Sequence, residues 1–90
     1  MKTTVVRRTG GAIPNGVFIG RPSKWGNPFR IGPDGDRETV IAKYRKWIKT
    51  QPNLLADLHE LRGKSLICFC KPLACHGDVL AELADRKGRL

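Results

Sequence analysis

Cys68, Cys70, Cys75 and His76 fall within CFCKPLACHGD, residues 68–78. Thiolate and imidazole are the ligands that zinc prefers, usually four around a tetrahedral ion. They are also the side chains of nucleophilic catalysis, in which a thiol is activated by a neighbouring base. In that arrangement Cys75 is the nucleophile, His76 the base, and Asp78 orients the imidazole or a substrate hydroxyl. The third reading is packing, because cysteine is among the most often buried residues and Cys68 on a core strand needs no other reason. The spacing C-x-C-x4-C-H is not the pair of C-x2-C knuckles of common zinc modules. Adjacent Cys75 and His76 would need an irregular backbone to reach one ion.

A second group lies in GRPSKWGNPFRIG, residues 20–32, where Arg21, Lys24 and Arg30 alternate with Trp25 and Phe29. Guanidinium and ammonium groups neutralise phosphate, and an indole face stacks on a base or ribose. Asn27 adds a donor and an acceptor suited to a base edge, and Ser23 a hydroxyl. The same spacing also fits aromatics that cover a core while the charges face water. With three prolines in residues 21–35 the stretch is neither helix nor interior strand. Its aromatic anchors mark a loop fixed onto a scaffold, the kind often used for binding.

The scaffold follows from periodicity. TTVVRR and GVFIGR read as short strands separated by the turn-rich TGGAIPNG. That connection could close a hairpin or carry a crossover. Asp36 caps a helix over RETVIAKYRKWIK, in which Val40, Ile41, Tyr44, Trp47 and Ile48 form one apolar stripe. Asn53 is placed to cap a short second helix, LLADLHEL. SLICFC, residues 65–70, is apolar nearly throughout and reads as a strand buried on both faces. A last helix runs from Cys75 or His76 to about Asp85. The order strand, strand, helix, helix, strand, helix predicts a small single-domain α/β fold over residues 1–90, with 65–70 central in the sheet. The Cys-His turn then sits at a strand's C-terminal end and a helix's N-terminus, where ligands and reactive groups gather in open α/β sheets. A cysteine there has its thiolate stabilised by the helix dipole, and Lys71 stands in the same loop beside an anion site of backbone N–H groups.

Composition narrows the class. Ninety residues support one core and bury roughly 60–65% of the unfolded chain's surface. No apolar run approaches the ~20 residues of a membrane span, and the N-terminal MKTTVVRRTGG has no signal-peptide core. Three closely spaced cysteines suit a reducing compartment. A soluble cytoplasmic protein with no membrane partner is expected. The net charge is +9, and its placement is uneven: Lys2, Arg7, Arg8, Arg21, Lys24 and Arg30 precede Pro33 with no acidic residue among them. Such a field favours phosphate-bearing partners.

VFIGRPSKWGNPFRIG, YRKWI and LRGKSLICFCKPLACHGDVLAELA together resemble the family catalogued as domain of unknown function 4326, small proteins of bacteria and phages. The resemblance spans about Val17 to Ala84. It points to Arg21, Pro22, Ser23, Lys24, Trp25, Gly26, Asn27, Pro28 and Phe29, and to Cys68, Cys70, Cys75, His76, Gly77 and Asp78. The Cys-His segment is also similar, over about a dozen residues, to a strand-loop-helix in a second, Rossmann-like family. Neither resemblance implies a reaction.

The expectation is a Rossmann-like sheet with helices packed on it, the basic loop and the Cys-His turn flanking one pocket. That pocket would bind, and perform chemistry on if Cys75 is a nucleophile, a nucleotide or nucleic-acid ligand. Arg21, Ser23, Lys24, Trp25, Asn27, Arg30 and Lys71 would hold the ligand, and Cys75, His76 and Asp78 would meet the reacting group. The alternative is a basic interaction module for a host protein or DNA, stabilised by zinc on Cys68, Cys70, Cys75 and His76.

Overall fold

A computed structural model describes residues 2–8, 11, 13–69 and 73–87. Three strands, β1 (Thr4–Arg7), β2 (Gly16–Phe18) and β3 (Ser65–Cys68), form a sheet of order β1-β3-β2 in which both pairs are parallel. β3 is central, as its apolar run predicts. β1 and β2 do not pair with each other and both run parallel to β3, so the connection between them is a crossover and not a hairpin. The register aligns Val5 and Val17 with Leu66, and Val6 and Phe18 with Ile67.

The helices are α1 (Arg37–Ile48), α2 (Pro52–Ala56), a 3-10 turn at Asp57–Glu60, and α3 (His76–Lys87). Asp36 caps α1, its carboxylate accepting the Thr39 N–H at 2.8 Å. Glu38 in the first turn and Arg45 and Lys46 in the last complement the helix dipole. α1 buries Val40, Tyr44 and Ile48, one row at four-residue spacing. At α2 the expected Asn53 cap is displaced: Gln51 takes the N-cap position without a side-chain bond, and Pro52 fills the first helical position, where a missing N–H costs nothing.

The core joins Ile19, Tyr44, Ile48, Leu61, Leu66, Cys68, Val79 and Leu80, with Val5 and Val17 packed against it. Each large aliphatic or aromatic side chain among them contributes about 1.5–3 kcal/mol by burial. These residues define the helix-covered face of the sheet. On the other face Ile67 is half-buried and Phe69 is 61% exposed. The expectation that 65–70 is buried on both faces therefore fails for the residues described, because the helices supply a second layer on one side only. At the edge, buried Thr3 is satisfied on several sides: its hydroxyl donates to Asp85 at 2.6 Å and accepts the Gly63 N–H at 2.9 Å, tying the start of β1 to the end of α3.

Candidate functional site

β3 delivers Cys68 to the C-terminal end of the sheet, and the chain returns at Cys75 to begin α3. There Cys75 is the N-cap, and CHGD builds a capping box in which a thiol replaces the usual hydroxyl. The Gly77 N–H donates to Cys75 Sγ at 3.3 Å, and the Asp78 carboxylate accepts the Cys75 N–H at 3.1 Å. The Cys75 thiol also lies 3.4 Å from that of Cys68. Both side chains are buried, at 2% and 1% exposure. Cys70 and Lys71 lie outside the described residues.

His76 occupies the first position of α3. Its Nε2 is 2.8 Å from the Ile19 carbonyl, which can only accept, so Nε2 carries the hydrogen and Nδ1 is the acceptor. The ring packs edge-on to Tyr44, centroids 5.0 Å apart. Burial holds its pKa below the ordinary histidine value; the Arg21 charge adds to this, while the Ile19 bond and Asp78 oppose it. The imidazole is thus held neutral. Tyr44 is likewise held as a neutral donor, burial raising its pKa, and its hydroxyl donates to the Trp25 carbonyl at 2.7 Å.

A cavity of about 570 Å³ opens beside this turn. Arg21 and Arg30 line it on one side, Phe29, Ile31 and Phe69 give apolar walls, and Cys68, Cys75 and His76 form its strand-to-helix end. Its volume suits a small ligand. Neither Arg21 nor Arg30 has a carboxylate partner among the described residues. The basic loop and the Cys-His turn thus meet across one cavity.

Other singled-out residues serve the scaffold. Trp25 is 3% exposed and belongs to the core, so its indole offers no face for stacking. Lys24 bridges Asp57 at 2.9 Å and Glu60 at 3.0 Å. Asn27 lines the cavity, but its amide donates to the Val40 carbonyl at 3.3 Å and accepts the Phe29 N–H at 2.9 Å. Ser23 Oγ is buried with no hydrogen-bond partner among the described residues. Asp78 faces a different hollow, beside Thr3 and Glu82. Among the described residues no cluster of three His, Cys, Asp or Glu side chains could hold a metal ion. Reasoning from sequence missed Tyr44 and the Ile19 carbonyl as supports of His76. It also missed Phe69 as a wall, although its alternation with Cys68 along β3 was the available signal.

These observations define a small α/β protein with a cationic cavity at the C-terminal end of a parallel sheet. The chain belongs to the family described as domain of unknown function (DUF4326), whose pattern matches residues 5–86. It is 41% identical over 75 residues to the uncharacterized 12.4 kDa protein in the nrdA-td intergenic region of Enterobacteria phage T4, an alignment covering 78% of this chain and 68% of that protein. No solved structure matches it. No helix among the described residues is long and apolar enough to cross a membrane.

The neutral His76 makes stability depend on pH. In the unfolded chain the imidazole binds a proton below its ordinary value of 6.5, whereas the folded protein resists that uptake. The unfolded state therefore binds more protons, and stability falls as pH drops through 6.5 toward the lower folded value. Denaturation midpoints should decline between pH 7 and pH 5, above the range in which exposed Asp36 and Glu82 titrate. His76→Gln, which keeps an amide donor for Ile19, should flatten that decline. An equal decline in the variant would remove His76 as its source.

Proposed function

We propose that the cavity binds a nucleotide or the end of a nucleic-acid chain, with Arg21 and Arg30 on its phosphate. The observation that carries this reading is the pair of cavity-lining arginines without carboxylate partners among the described residues, set beside apolar walls that suit a base. Guanidinium groups grip phosphate through paired donors, and Phe29 or Phe69 supplies the flat contact first expected of Trp25. His76, as a neutral acceptor at Nδ1, and the Cys75 thiol would meet whatever group reaches the deep end. Any processing would start from Cys75 as nucleophile. The clustered cysteines suit a reducing cytoplasm.

Titration calorimetry with inorganic pyrophosphate and with the nucleoside monophosphates tests this directly. Arg21→Ala and Arg30→Ala should each weaken binding by about ten- to a hundredfold, the worth of a charge-assisted hydrogen bond. Added salt should weaken wild-type binding as well. Unchanged affinity in both variants would sink the reading. So would a wild-type protein that binds none of these anions.

A further inference from the structure

The face of the sheet opposite the helices carries Val6, Ile67 and Phe18 in register, followed by Phe69 beyond the end of β3. The Phe18 and Phe69 rings meet edge to face, centroids 5.7 Å apart at 78°. The Arg8 guanidinium lies 5.6 Å from both ring centroids. Gly20 leaves room for the Phe18 ring in this group, since a Cβ there would meet it at 2.6 Å. Phe69 is 61% exposed and also lines the cavity, so the aromatic group and the cavity are one continuous surface.

We propose that the aromatic group at the exposed Phe69 end of this face is a base-stacking platform, and that the ligand is a single-stranded nucleic acid whose chain runs from the cavity across Phe69 and Arg8. The proposal rests on the nucleotide reading of the cavity and extends it from one residue of the ligand to at least two. Two arguments select this occupant. The platform is built from planar π groups and one cation, which match an unpaired base and its phosphate and are indifferent to sequence. The charge is also one-sided: no Asp or Glu occurs before Asp34 or between Leu61 and Gly77, the stretches that contain all three strands. A duplex, its bases already stacked, has no face to offer the rings.

The test is fluorescence anisotropy with a short labelled oligothymidylate, competed by thymidine monophosphate and by the same strand annealed to its complement. The single strand should bind at least about tenfold more tightly than the monophosphate, the size of one base stack. Arg8→Ala, outside the cavity, should lower oligonucleotide affinity by about that factor and leave monophosphate affinity unchanged. Phe69→Leu should also weaken the oligonucleotide, and Phe69→Trp should restore it. Monophosphate binding with no gain for the oligonucleotide overturns the platform while the cavity reading stands. A wild-type protein that binds neither overturns both. Equal binding of the duplex, or oligonucleotide binding unmoved by Arg8→Ala and Phe69→Leu, overturns the platform alone. So does concentration-dependent self-association that Phe69→Leu abolishes, without oligonucleotide binding.

Discussion

Replacing Gly77 with valine is expected to lower the stability of the domain by about 3 kcal/mol or more, a large share of the ~5–15 kcal/mol available to a folded protein. Gly77 is the second residue of α3 and is buried where the helix backbone crosses the sheet. A Cβ there would lie 2.8 Å from Ile19 Cδ1, 2.9 Å from Val5 Cγ1 and 3.2 Å from Cys75 Sγ. Ile19 is fully buried and has little space to yield. Alanine is the sharper probe because two effects oppose each other. Helix propensity favours alanine over glycine by up to ~1 kcal/mol, whereas overpacking costs ~1–3 kcal/mol. Packing should win. Gly77→Ala should therefore have a lower denaturant midpoint than the wild type, and an equal or higher midpoint would show that the helix does not sit as close as described.

Tyr44 should matter as much. Its side chain is fully buried, its ring packs on His76 and Trp47, and its hydroxyl holds the Trp25 carbonyl. Tyr44→Ala should cost about 3–5 kcal/mol through lost burial and the cavity left behind. Tyr44→Phe keeps the ring but strands that carbonyl without its donor, a loss of about 1–3 kcal/mol. For a domain of this size that corresponds to a fall in Tm of roughly 5–15 °C. The phenylalanine variant should remain folded yet bind pyrophosphate less well, because the loop bearing Arg21 and Arg30 is anchored through Trp25. Thermal melting with calorimetry on the same sample separates the outcomes. A Tm within a degree of the wild type would show that the bond is not a structural anchor.

Much of the fold was legible because it rests on local signals. Asp36 just ahead of an apolar-periodic run, the four-residue row through Tyr44, and the apolar run at 65–70 each report one element without knowledge of the others. What was not legible depends on the second layer. Nothing in SLIC distinguishes a strand covered on both faces from one covered on a single face. Nothing in the eight residues between β1 and β2 decides between a hairpin and a crossover. The site divides in the same way. That Arg21, Arg30, Cys75 and His76 share a cavity followed from placing the turn at the end of a central strand. That Trp25 is buried, Lys24 bridges two carboxylates, and Asp78 caps α3 could not be read, because each residue is chemically suited to both roles and only its neighbours decide.

The order of the strands has a consequence for how the chain can be made. β1 and β2 touch only through β3, so the two strands synthesised first have no partner until residues 65–68 have appeared. Until then Val5, Val17 and Phe18 have no sheet to join, and the loop carrying Arg21 has no floor beneath it. A nascent chain halted before Ser65 therefore carries Arg21 and Arg30 without the framework of the cavity, and the sheet cannot close until that late segment has been made. One four-residue strand both completes the sheet and brings Cys68 to the cavity, so ligand-binding competence should arrive with folding and not before it.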